Sequence, residues 1–252
     1  MTARTFSVGA LLAVVAGSAA PVLAAPGTAT SSRAAPRSAA PQVTLLVAGT
    51  QGTLLPAQRV RVSAGRLPVP GVGRCPLGPG TPLAALDAAR RRGRLRFGVR
   101  RQSACTPETL FVDDIDGRRN AGDGGWEYKV DGRTPAVGAA VPAGQGGARL
   151  HSGSRVLWFY CLHANRCQAT LELRLAARAQ PGAPLTVSVL GRGDNGRATP
   201  VAGAAVTVAG ATAITDALGA VHLVAPARPG SYPVSATAPG LVDAFPQALR
   251  VG

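Results

Sequence analysis

The decapeptide SGSRVLWFYC, residues 152–161, is the segment that most limits the folds open to this chain. In an extended strand, Val156, Trp158 and Tyr160 point to one side and Leu157, Phe159 and Cys161 to the other. A strand that is apolar on both sides belongs inside a sheet that is covered twice. Upstream, GGWEYKVDGR (124–133) alternates Trp126, Tyr128 and Val130 before Asp131-Gly132, the dipeptide of a tight primed turn.

The chain opens with Arg4, an apolar run from Val8 to Ala16 and small residues around Ala24, the layout of a secretory signal peptide over 1–24. That run is too short to span a bilayer, so a secreted monomer with no transmembrane anchor is expected. Residues 25–41, APGTATSSRAAPRSAAP, carry no aromatic and no apolar stripe and read as a disordered linker. The formal charge is +15, and loss of Arg4 with the signal leaves 26 basic minus 12 acidic residues, or +14. Lys129 is the only lysine, so the basicity reads first as the mark of a GC-rich coding sequence. Attraction to phosphate-rich cell-wall polymer or glycan is the second reading, and no specific nucleic-acid recognition is expected.

Export favours disulfides among the four cysteines. Three pairings are formally possible; Cys161 with Cys167 and Cys75 with Cys105 is preferred, because LHANR between the first two suits a clipped loop. A zinc site is disfavoured, since no CxxC pair occurs. QVTLLVAG and RVRVSAG read as a hairpin. TPLAALDAARRRG (81–93) reads as the main helix, with Thr81 as N-cap, Pro82 at the first position and Gly93 as the left-handed stop. After it, RLRFGVR predicts a strand with Leu95, Phe97 and Val99 inward and Arg94, Arg96 and Arg100 on a cationic outer side, the candidate anion-binding residues. Asp113, Asp114, Asp116 and Asp123 lack the ladder and closing Glu of a calcium loop and fit turn chemistry instead.

The pattern GWEYKVDGR…VGAA…L..GSRVLWFYC resembles the transcobalamin-like C-terminal domain family of secreted proteins. Gly125, Trp126, Tyr128, Val130, Gly132, Gly138, Gly153, Val156 and Trp158 stand at its motif positions, with Asp131 for the usual Asn and Ser154 for the usual Asp. The resemblance covers residues 42–167 and implies an α+β, β-grasp-like domain in which a sheet packs on one main helix. In transcobalamin-type proteins this domain helps close over cobalamin held by a helical barrel, which this chain lacks. Trp126 and Tyr128, with Trp158 and Tyr160 on the later strand, are the candidate ligand-binding residues, and core packing is the commoner fate of such rings.

From Gln168 the chain is a series of short alternating runs set between Gly, Pro, Asn and Asp, the rhythm of an all-β sandwich over 168–252. PVAGAAVTVAG…TDALGAVHLVAP…PGSYPVSATAPGLV resembles Ig-like and prealbumin-like modules of bacterial surface proteins, through Asp216, Gly219, Gly230 and Tyr232. Arg192-Gly193-Asp194 lies in GRGDNG, which turn formation explains. His151, His163 and His222 have no ligand-spaced partners, and no nucleophile or metal motif occurs, so neither catalysis nor a cofactor is expected. The leading expectation is a non-enzymatic binding or adhesion protein for cell-wall polymer, glycan or a partner protein, with the second domain as spacer. The alternatives are a cobalamin-type binder acting with another subunit and an accessory protein of a secreted hydrolase.

Overall fold

The computed structural model describes residues 40–101, 105–164 and 166–252, which belong to one compact unit. The signal peptide expected over 1–24 and nearly all of the linker expected over 25–41 lie outside the described residues. The first half contains β1 (Gln42–Gly49), β2 (Gly52–Arg61), β3 (Gly65–Val69), β4 (Gly73–Leu77), α1 (Pro82–Arg91), β5 (Phe97–Arg101), β6 (Leu110–Ile115), β7 (Arg118–Arg119), β8 (Gly125–Val130) and β9 (Arg155–Cys161). The second contains β10 (Thr170–Leu175), β11 (Arg178–Ala179), β12 (Pro184–Arg192), β13 (Ala198–Pro200), β14 (Ala205–Val208), β15 (Ala211–Ile214), β16 (Ala220–Val224), β17 (Gly230–Thr237) and β18 (Gln247–Val251).

These strands form five sheets. The principal sheet of the first half runs β2-β1-β9-β8, with β1 and β9 parallel at its centre and antiparallel neighbours outside them. Sheets β3-β4 and β5-β6-β7 accompany it. In the second half, β10-β12-β13 with β16 on β12 faces β11-β18-β17-β14-β15 across a core that includes Leu173, Val187, Val206, Val234 and Leu249.

An α+β, β-grasp-like first domain followed by an Ig-like sandwich is therefore not what the chain builds. The protein is largely all-β, with several sheets and one ten-residue helix among the described residues. The physical reason is cover. A ten-residue helix is about 15 Å long and shields only part of one sheet face. The rest of that face is closed by β3-β4 and β5-β6-β7, whose Leu67, Val69, Cys75, Leu77, Val99, Leu110 and Val112 join α1 in one cluster.

The helix itself forms where its local signals place it. Thr81 Oγ1 accepts from Ala84 N at 3.2 Å, Pro82 opens the first turn and Gly93 stops the helix at φ 65°. Its basic run is consumed locally: Arg90 and Arg91 both pair with Asp87, whose side chain is fully buried, and Arg92 donates to Arg59 O at 3.0 Å.

The centre of the principal sheet is apolar on both faces. Val43, Leu45, Val47, Val156, Trp158 and Tyr160 meet α1 and the small sheets. Leu46, Ala48, Leu157, Phe159 and Cys161 form a second cluster with Val242, against which Phe245 packs. Val242 and Phe245 come from the β17–β18 connection, so the second half supplies the cover for this face. Backbone bonds between Val242 and the Ala169–Leu171 segment, and the Thr53–Asp243 side-chain bond at 3.0 Å, fasten the same seam.

Two disulfides are present, Cys75–Cys105 and Cys161–Cys167. The second closes a short loop at the end of β9, and loop-closure entropy assigns such a bridge about 2.4 kcal/mol. Cys161→Ser is expected to lower unfolding stability in urea by that order and to leave Cys167 open to thiol reagents. A variant as stable as the wild type would contradict this.

Candidate functional site

The edge of the principal sheet opposite β2 is β8. Trp126, Tyr128 and Val130 fall on one face of it and pair across to Tyr160, Trp158 and Val156. Trp126 meets Tyr160 edge-on at 5.5 Å, and Tyr128 tilts 33° against Trp158 at 5.4 Å. None of the four rings is more than 7% exposed. Each also gives its polar tip to a backbone carbonyl: Trp126 Nε1 to Arg118, Tyr128 OH to Val137, Trp158 Nε1 to Pro82 and Tyr160 OH to Arg119. Burial, then the charge of Glu127, pushes the Tyr128 hydroxyl up to about 12. The structure thus gathers the four sequence-nominated rings, but as a packed hub that ties β7, the 135–139 loop and α1 to the sheet. They do not present an open stacking platform.

The edge beside this hub is only partly sealed. Trp126 N donates to Asn120 Oδ1 at 2.9 Å, and Val130 N to Arg133 O at 2.9 Å across the Asp131-Gly132 turn, whose φ angles of 50° and 79° are those of a primed turn. By antiparallel alternation, Trp126, Tyr128 and Val130 all turn their backbone groups away from β9. Tyr128, between the two caps, therefore directs an N–H and a C=O outward with no hydrogen-bond partner among the described residues. Asn120 also donates to Val112 O at 2.9 Å and so links β6 to β8 through one side chain. A Cβ at Gly125 would sit 3.2 Å from the Asn120 amide, so glycine lets that amide approach the strand closely.

Between β6, β8 and the 135–139 loop lies a groove of about 410 Å³. Its walls include Arg100, Phe111, Glu127, Tyr128, Ala136 and Val137. Phe111 is 39% exposed, unusual for a large apolar residue. The Arg100 side chain is mostly exposed, with Nε 3.6 Å from Asp113 Oδ1. Of the three arginines expected to form an anion site, only Arg100 lines the groove. Arg94 and Arg96 precede β5, and Arg96 is held through its backbone, its N–H donating to Asp116 Oδ1 at 2.7 Å. The other acidic residues of that region also have local work. Asp114 accepts from Gly117 N, and Asp123 binds His163 Nδ1 at 3.1 Å, a contact that lowers the Asp123 carboxyl below the usual range.

The opposite face of β8 contains a charged cluster that sequence reasoning did not assemble. Lys129 is fully buried, 3.3 Å from Asp194 Oδ1. It donates to Arg192 O at 3.1 Å and lies 5.4 Å from the centre of the Phe159 ring. Arg192 binds Glu172 through both Nε and Nη2 and donates to Gly196 O. The Arg-Gly-Asp triplet thus spends both its charges inside the molecule. The one signal for this cluster in the sequence is that Lys129 has no fellow lysine. No family model, curated protein or solved structure matches this chain.

Burial acts to raise the Glu172 carboxyl, but hydrogen bonds from Arg192 and Arg174 outweigh it and hold the group below 4.5. A carboxyl depressed on folding contributes stability that is complete above its unfolded pKa and is lost as pH falls through the folded one. Glu172→Gln is expected to cost roughly 1.5–3 kcal/mol near neutrality, the range for a charged hydrogen bond. Urea denaturation should show the gap to wild type narrowing as the pH is taken from about 6 to about 3. A gap independent of pH would contradict this assignment.

Proposed function

We propose that the protein is an exported, non-enzymatic binding module whose groove beside β8 takes an extended segment of a partner protein. The observation that carries this reading is the outward N–H and C=O of Tyr128 at an open strand edge, set in a groove with the exposed Phe111 ring on its wall. A strand edge recognises another extended chain through main-chain bonds, and neighbouring side-chain pockets supply the selectivity. Arg100 places one cation on the wall for polar side chains of the guest. The second half supports this face by covering the back of the same sheet.

Two further features support the reading. The resemblance of residues 42–167 to the transcobalamin-like C-terminal domain family favours binding over catalysis. Export agrees with two disulfides and with the N-terminal signal pattern; among the described residues no helix is long and apolar enough to cross a membrane. A cobalamin-type ligand is the weaker reading, because the rings that would stack on it are packed inward with their polar tips engaged.

Ala136 is exposed on the groove wall, and tryptophan there fills the space without touching the core. On arrays of extended peptides and of wall glycans, the wild type should bind peptides, and Ala136→Trp should weaken that binding about tenfold or more, or ~1.4 kcal/mol. The thermal midpoint should not change. Binding unaffected by Ala136→Trp, or confined to glycans, would overturn the proposal.

A further inference from the structure

We propose that Lys129 Nζ and the Asp194 side chain condense into an intramolecular amide that covalently joins β8 to the loop after β12. The first argument is the choice of residue. Lysine and arginine total 27, and 26 of them are arginine, yet the one lysine occupies the most buried cationic position described. Every other ion pair among the described residues uses arginine or histidine. Arginine serves an ion pair at least as well, through its two-pronged geometry, but its guanidinium stays protonated and cannot act as a nucleophile. An amine can.

The second argument is position. Nζ lies 3.3 Å from Asp194 Oδ1 and is steered by Arg192 O at 3.1 Å and Thr170 Oγ1 at 3.5 Å, with the Phe159 ring beside it. The Lys129 side chain is completely excluded from solvent, whereas Asp194 is 39% exposed, which leaves a path for a departing water. Thr134 Oγ1 donates to the same Asp194 oxygen at 3.5 Å.

The third argument is proton management. Burial lowers the Lys129 amine, with the Arg192 charge acting in the same direction and Asp194 opposing, so the nucleophilic free amine becomes accessible. Glu127, two residues away on β8, is raised by burial and then by the Asp194 charge. In the reaction Nζ attacks Asp194 Cγ, the Nζ–Cγ bond forms and one Cγ–O bond breaks. The ammonium gives up two protons, which leave with that oxygen as one water. No oxidant, reductant or co-reactant is required.

The test is the intact mass of the exported protein after reduction of both disulfides, referred to its own determined N-terminus. The expected mass is one water below that of the open chain, and proteolysis should release a branched peptide joining Lys129 to Asp194. Lys129→Arg and Asp194→Ala should restore the full mass. A wild-type protein of full mass would overturn the proposal. So would a water loss without the branched peptide, as cyclisation at Asp116-Gly117 or Asp131-Gly132 would give.

Discussion

The architecture depends on one constraint: the parallel β1–β9 pair is apolar on both of its faces and must be covered twice. On one side the cover comes from the first half itself, through α1 and two small sheets. On the other it comes from the second half, through Val242 and Phe245. Burying a ring the size of Phe159 on that second face is worth about 1.5–3 kcal/mol, and several such residues line it. Stability in the first half is thereby tied to the presence of the second, which acts as part of the structure rather than as a tether.

The same sheet gives the molecule its open side. β2 and β8 are the outer strands, and an exposed edge is a liability that proteins blunt. Here Asn120 and the Asp131-Gly132 turn blunt β8 at its two ends and leave the Tyr128 backbone groups between them without a hydrogen-bond partner among the described residues. The aromatic hub beneath makes that edge rigid, since its four rings are anchored to carbonyls on three neighbouring segments, β7, the 135–139 loop and α1. A rigid edge loses little conformational freedom when a guest chain binds, which favours recognition. Charge follows a similar economy. Asp87, Glu172 and Asp194 each engage a cation, so several of the 27 basic residues serve internal bonds, while the +15 excess that such neutral pairs leave untouched belongs to the others.

What could be read from the sequence was local. Thr81, Pro82 and Gly93 announce α1 because capping acts over a few residues, and Asp131-Gly132 announces its turn because few other residues accept two positive φ angles. The double-sided run at 156–161 announces a twice-covered strand. The identity of the second cover was not readable, because Val242 lies far along the chain and shows nothing in its own neighbourhood that marks it. The same holds for Asn120, which reads as a turn residue yet bridges two sheets, and for Asp194, which reads as part of a turn yet meets Lys129. The fold class was misjudged for a related reason. One well-signalled helix suggested a helical layer, whereas most of the cover is supplied by short strands whose partners are set by tertiary packing.

Calorimetry of the mature chain tests this account most directly. If the two halves share the β1–β9 sheet as a common core, heating should produce a single transition whose calorimetric and van't Hoff enthalpies agree. Two resolved transitions, with the first half melting unchanged after the second is removed, would contradict it.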